Sequence, residues 1–99
     1  MAGRKIVWTN KANIERQDIL DYWIMRNKSK SYSIKLNKLF IETLNVLSVH
    51  PNLGRKTDVS TIRVKIVRDY LIFYRVNKEE LIVLSIWDSR RDDKKLRLE

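Results

Sequence analysis

The sequence predicts an α+β fold in the order strand, helix, helix, strand, strand, strand, with a two-helix hairpin packed on one face of an antiparallel sheet. Three observations carry this. Apolar residues recur at three- and four-residue spacing through two successive stretches before His50, and at two-residue spacing after it. The change of period falls at "HPNLGR", where Pro51 and Gly54 stand close together. With Gly 2 and Pro 1 among 99 residues, most of the chain is expected in regular elements joined by short connections.

The first strand is "KIVW", Lys5 to Trp8, β-branched and aromatic, and the "TN" that follows caps helices well. From Lys11 the residues Ile19, Leu20, Trp23 and Ile24 share a helical stripe, with Glu15, Arg16, Asp18 and Asp21 elsewhere on the wheel, so a first helix is expected to end near Arg26 or Asn27. After "NKSKS" a second stripe of Leu36, Leu39, Phe40, Thr43, Leu44 and Leu47 defines the second helix. Pro51 disfavours helical geometry at His50, and Gly54 is expected to supply the positive φ of a tight turn. "TIRVKIV" then alternates Ile62, Val64 and Ile66 with Arg63 and Lys65, which predicts one apolar face toward the helices and one basic face. "RDYLIFYRV" and "LIVLSIW", separated by the polar "NKEE", complete three consecutive antiparallel strands. On this reading Arg63, Lys65 and Arg75 line the sheet face away from the helices, which twist makes concave.

The chain is 43% hydrophobic and 33% charged, the balance of one domain spanning residues 1–99. Its longest apolar run, Leu81 to Leu84, is far short of the ~20 residues of a membrane helix, and "MAGRKIVW" lacks a secretory core, so a cytoplasmic protein without a membrane role is expected. Cys 0 and a single histidine exclude thiolate nucleophiles and the usual zinc and haem ligand sets, and no cofactor or metal is implied. Leu98 and Glu99 are residues that cloning can add and carry no weight. Lys+Arg 21 against Asp+Glu 12 gives a net charge of +9, a field that attracts polyanions: nucleic acid, an anionic surface or an acidic protein.

The element order, the helix ending "LSVHPNLGR", the strand "IRVKIV", the "YLIFYRV" strand with Tyr70 and Tyr74, and the terminal "VLSIWDSRRD" together resemble the RelE/ParE-type toxins of bacterial type II toxin–antitoxin systems, over roughly Ile6 to Arg91. The resemblance implies a small basic toxin neutralised by a cognate acidic antitoxin that wraps it. It also implies one of two targets. RelE-like members cleave messenger RNA on the ribosome, whereas ParE-like members inhibit DNA gyrase without hydrolysing nucleic acid, and fold alone does not choose between them.

Metal-free RNA cleavage requires a group that removes the 2′-hydroxyl proton, a group that stabilises the phosphorane and a group that protonates the leaving oxygen. RelE-like ribonucleases commonly set an arginine directly after the first tyrosine of the third strand; here Tyr70 is followed by Leu71, and neither His nor Tyr occurs from Trp87 onward. Arg63, Arg90 and Asp88 are the remaining catalytic candidates. The arginines stay protonated and clamp phosphate better than they move protons, and a carboxylate such as Asp88 amid cations is a weak base suited to a salt bridge. His50, before a proline, reads as a surface residue at a helix end. Tyr70 and Tyr74 share a face that is either core or groove. The expected target-binding set is therefore Arg63, Lys65, Arg75, Arg90 and Arg91, and Ile34 and Ile41, off the main stripe of the second helix, are candidates for an antitoxin groove. Trp8, Trp23 and Trp87 read as packing anchors. The balance leans toward a ParE-like toxin, with a RelE-like nuclease and a non-toxic binding module as the competing readings.

Overall fold

A computed structural model describes residues 3–90 of the chain. Strand β1 (Lys5–Trp8) leads into helix α1 (Asn10–Asn27), helix α2 (Ser31–Val49), a short 3-10 turn (Pro51–Leu53), and strands β2 (Arg55–Lys56), β3 (Arg63–Val67), β4 (Tyr70–Val76) and β5 (Glu80–Asp88). The strands lie in the order β1-β5-β4-β3-β2. The element order is the expected one, with two additions. The sheet is mixed, because β1 joins β5 in parallel, pairing Lys5 with Glu80 and Trp8 with Val83. The two-residue β2 adds an outer edge antiparallel to β3.

Thr9 starts α1 as the "TN" pair suggested: its hydroxyl accepts the Ala12 N–H at 3.1 Å and donates to the Leu84 carbonyl at 3.2 Å. One side chain thus caps the helix and fastens it to β5. The helices cross closely at Ser33, small and buried, whose hydroxyl donates to the Leu20 carbonyl at 2.6 Å. Phe40, Leu44 and Leu47 of α2 then meet Tyr70, Ile72 and Tyr74 of β4 and Leu81 and Val83 of β5 in one cluster. The Phe40 and Tyr70 rings meet edge to face, centroids 5.8 Å apart. Both tyrosines of the "YLIFYRV" strand are therefore core residues, with Tyr70 2% exposed and Tyr74 fully buried.

The β3 reading is corrected here. Residues directly opposite on paired strands share a face. Arg63 lies opposite Tyr74, Lys65 opposite Ile72 and Val67 opposite Tyr70. Val67, not Ile66, enters the helix-covered core, and Ile66 is 50% exposed. Arg63 and Lys65 consequently lie on the helix side of the sheet, half-buried near its edge, while Arg75 is exposed on the other face. The physical reason is that long basic side chains lay their methylene stems against apolar neighbours and keep the charge in water, so they occupy the rim of a core face. A period of two places residues on alternate faces without saying which face is inside.

Gly54 is corrected as well. Its φ of −75° and ψ of 155° are extended, available to any residue. Glycine is needed for space, because a Cβ at this position would collide with the phenol ring of Tyr74. The positive φ values fall on Lys28 (53°) and Arg68 (57°) instead.

Strand β5 carries one extra residue against β4, since Tyr74 pairs with Val83 and Phe73 with Ser85. The polar groups that this bulge frees are met by side chains of the first helix and its cap. Thr9 takes the Leu84 carbonyl, and the Glu15 carboxylate accepts from the Ser85 hydroxyl at 2.8 Å and the Ile86 N–H at 3.1 Å. Removing Glu15 leaves a buried hydroxyl and a strand N–H without their acceptor. Glu15→Ala is expected to cost about 2 kcal/mol in urea unfolding, and Glu15→Gln, which keeps the acceptor oxygen, less than half as much.

Candidate functional site

The stretch that ends β5 builds its site from a strand terminus, a turn and a helix. Asp88 lies opposite Tyr70 in the register of β4 and β5. Arg90 curls back on it: Nε and Nη2 meet the two carboxylate oxygens at 3.1 and 3.0 Å, and the Arg90 N–H donates to Oδ1 at 2.9 Å. This two-pronged pair leaves the Arg90 side chain 48% exposed and Asp88 17% exposed, and it holds the guanidinium pKa above its usual value. Ser89 anchors the turn by donating its N–H and hydroxyl to the Asp69 carbonyl at 2.8 and 2.7 Å.

Above this turn stands Trp23 of α1. Its indole N–H donates to the Tyr70 hydroxyl at 2.7 Å, and the Arg90 guanidinium lies 5.7 Å from its ring centre. Tyr22 and Tyr32 meet the same indole edge-on at 5.1 and 4.9 Å. Burial pushes the Tyr70 phenol pKa up, and the tryptophan N–H opposes that shift without cancelling it, so the phenol stays protonated at neutral pH. Between α1 and β5 runs a cleft lined by Glu15, Asp18, Ile19, Tyr22, Asp88 and Arg90, among others. Sequence reading missed this acidic wall, although Glu15, Asp18 and Tyr22 fall on one helical face at spacings of three and four, a signal that was there to be used.

Arg63 belongs to a different place. Its Nη1 donates to the Gly54 carbonyl at 2.8 Å, beside Tyr74, whose hydroxyl donates to the Pro51 carbonyl at 2.6 Å. Burial also raises the Tyr74 phenol pKa. The cross-strand partners of Arg63 and Asp88 are Tyr74 and Tyr70, four positions apart on β4, which at ~3.3 Å per residue separates the two ends by about 13 Å. Lys65 lies between them, and Arg75 points from the opposite face. His50 caps the end of α2 and is exposed, as its place before proline implied. Ile34 and Ile41, one heptad apart on α2, are 65% and 42% exposed. Arg91 lies outside the described residues. The four described residues of the expected target-binding set, Arg63, Lys65, Arg75 and Arg90, therefore do not form one patch.

Among the described residues no group of His, Asp and Glu is placed to hold a metal ion, and no helix is long and apolar enough to cross a membrane. The arrangement offers cations held in place by hydrogen bonds, phenols held protonated, and one strand-end carboxylate engaged by an arginine. It is equipped for binding charge more than for moving protons.

A small α+β protein with a helical hairpin on a mixed five-stranded sheet and a charged strand end is the class that these features define. The family model described as the ParE toxin of the type II toxin–antitoxin system, parDE, matches residues 6–93, and the chain belongs to that family. Among solved structures, it is similar to one described as the chromosomal ParDE TA system from P. aeruginosa, at 21% identity over 84% of this chain and 92% of that chain, with a TM-score of 0.70. At that identity the likeness is one of fold. No curated protein matches the chain.

Proposed function

We propose that the chain is a growth-inhibiting toxin that acts on DNA gyrase without hydrolysing nucleic acid and is neutralised by a cognate acidic antitoxin. The observation that carries this reading is the separation of Arg63 from the Asp88–Arg90 pair. The two lie at opposite ends of β4, each cation seated on its own local acceptor, so a single phosphate cannot be clamped and protonated by both. Messenger RNA cleavage would need those groups to converge on one scissile bond. Family membership supports the toxin role and an antitoxin partner, and a net charge of +9 suits an acidic one. The exposed Ile34 and Ile41 offer that partner an apolar seat on α2, at the one-heptad spacing a helix or extended segment grips. The chain then works in the cytoplasm, where both partners are found.

The test pairs two measurements. Purified toxin added to gyrase and relaxed plasmid is expected to block supercoiling or trap cleaved DNA, while transcript ends mapped after induction show no new cuts. Unchanged supercoiling at large toxin excess, together with codon-phased cleavage that Arg63→Ala abolishes, would replace this reading with the nuclease one. Ile34→Asp with Ile41→Asp is expected to weaken antitoxin binding at least tenfold and leave the gyrase effect intact.

A further inference from the structure

Three chain reversals meet at one end of the molecule: the turn between α1 and α2, the turn between β3 and β4, and the turn after β5. Side-chain contacts hold them together. Trp23 of α1 bonds to Tyr70 beside the β3–β4 turn, Ser89 bonds to Asp69 within that turn, and Arg90 and Arg26 both approach the Trp23 ring, at 5.7 and 6.0 Å. The tips carry Arg26, Lys28, Lys30, Arg68 and Arg90, all exposed, against the carboxylates of Asp69 and Asp88.

The conformations of two of these cations carry the argument further. Lys28 takes a left-handed conformation at the C-cap of α1, with φ 53° and ψ 36°, and Arg68 has φ 57° in a two-residue hairpin turn. Glycine or asparagine relieves strain at both kinds of position. They are the two positive-φ residues other than glycine among the described residues, they sit at the same end, and both are cations. Strain kept at paired surface positions where a neutral residue fits better points to a use for the charge.

We infer that this end of the molecule is a contact surface for the phosphate backbone of a nucleic-acid duplex. The cations are spread over three turns, Arg26, Lys28 and Lys30 at the first, Arg68 at the second and Arg90 at the third, so they present several exposed charges rather than one enclosing clamp. The aromatic residue beneath them offers no stacking platform, because Trp23 has Tyr22 and Tyr32 against it edge-on and guanidinium groups over its ring. Unstacked bases of a single strand would require a free ring face. The surface is distinct from the rim position of Arg63 and Lys65, and the inference stands whether or not gyrase is the target.

The experiment measures binding of the full chain to a fluorescent 20-base-pair DNA duplex by anisotropy across a salt series. Duplex RNA of the same sequence, single-stranded DNA and polyglutamate at equal charge serve as parallel probes. A variant combining Arg26→Gln, Lys28→Asn, Lys30→Gln and Arg68→Gly is expected to bind the duplex at least tenfold more weakly and to flatten the log–log salt slope by up to about 3.6, at about 0.9 for each of the four lost phosphate contacts. A control removing four exposed cations elsewhere, Lys11→Gln, Arg55→Gln, Lys56→Gln and Lys78→Gln, is expected to change affinity less than threefold. Lys28→Asn and Arg68→Gly alone are expected to raise Tm while lowering affinity, an opposition that damage to the fold does not produce. Equal losses from the two quadruple variants, no measurable duplex binding by the parent chain, or single strands or polyglutamate bound as tightly as duplex would each overturn the inference. The RNA duplex arm tells which backbone geometry is preferred.

Discussion

Tyr74→Ala is expected to lower the unfolding free energy by about 3–5 kcal/mol, enough to unfold a large share of a domain this size at 37 °C. The ring is fully buried in the centre of β4, packed between the sheet and the end of α2, and its hydroxyl donates to the Pro51 carbonyl. Truncation removes the packing, opens a cavity and leaves that carbonyl without its donor. Tyr74→Phe separates these effects and should cost about 1–2 kcal/mol, the hydrogen bond alone. Gly54→Ala attacks the same contact from the other side by forcing a methyl group into the ring, with a cost of about 1–3 kcal/mol. Urea denaturation at constant m measures all three. Because the two residues touch, Gly54→Ala on the Tyr74→Ala background should cost much less than it does alone.

The same residue sets an alkaline limit. Burial raises the Tyr74 phenol above its ordinary 10.0, so the unfolded chain loses this proton at a lower pH than the folded one. The stability it contributes is present in full below about pH 10 and is lost as pH climbs through the folded value. Tyr70 shifts the same way and adds to the effect. Tyr74→Phe should therefore flatten part of the fall in Tm as pH rises above about 10; an unchanged alkaline slope would contradict the assignment.

Trp23→Ala is the second large effect, with an expected loss of about 2–4 kcal/mol. The indole binds α1 to β4 through the Tyr70 hydroxyl, packs edge-on against Tyr22 and Tyr32, and lies under the guanidinium groups of Arg26 and Arg90. Trp23→Phe keeps an aromatic ring but no N–H, so it should cost about 1 kcal/mol in thermal unfolding, with the remainder of the alanine effect assignable to packing. Hydrogen exchange is the more telling readout. Loss of this tie should speed exchange at the end of β5 and in the β3–β4 turn before it affects the middle of β4.

Much of this architecture is written locally. Thr9 was legible as a helix cap because a hydroxyl before an amphipathic run needs nothing beyond the next three residues. The two helical stripes, the stop at Pro51 and the strand periods were readable for the same reason: each follows from chemistry within one or two turns of chain. The resemblance of the ordered motifs to RelE/ParE-type toxins is likewise a property of the sequence, and the family match agrees with it.

Other features were not local and could not be read that way. Alternation in "TIRVKIV" gave two faces, but the choice of Val67 over Ile66 for the core was made by Tyr70 and Ile72 across the strand pair and by the helices above them. Gly54 looked like a turn glycine until Tyr74, twenty positions along the chain, proved to need the space of its missing Cβ. The parallel pairing of β1 with β5, the Glu15 carboxylate on the β5 bulge and the meeting of three basic turns around Trp23 all join segments far apart in sequence. The sequence by itself determined the elements, their order, the net positive charge and the family. Only the tertiary structure decided which faces are buried and which charges share a surface, because packing energy depends on neighbours that the local period cannot name.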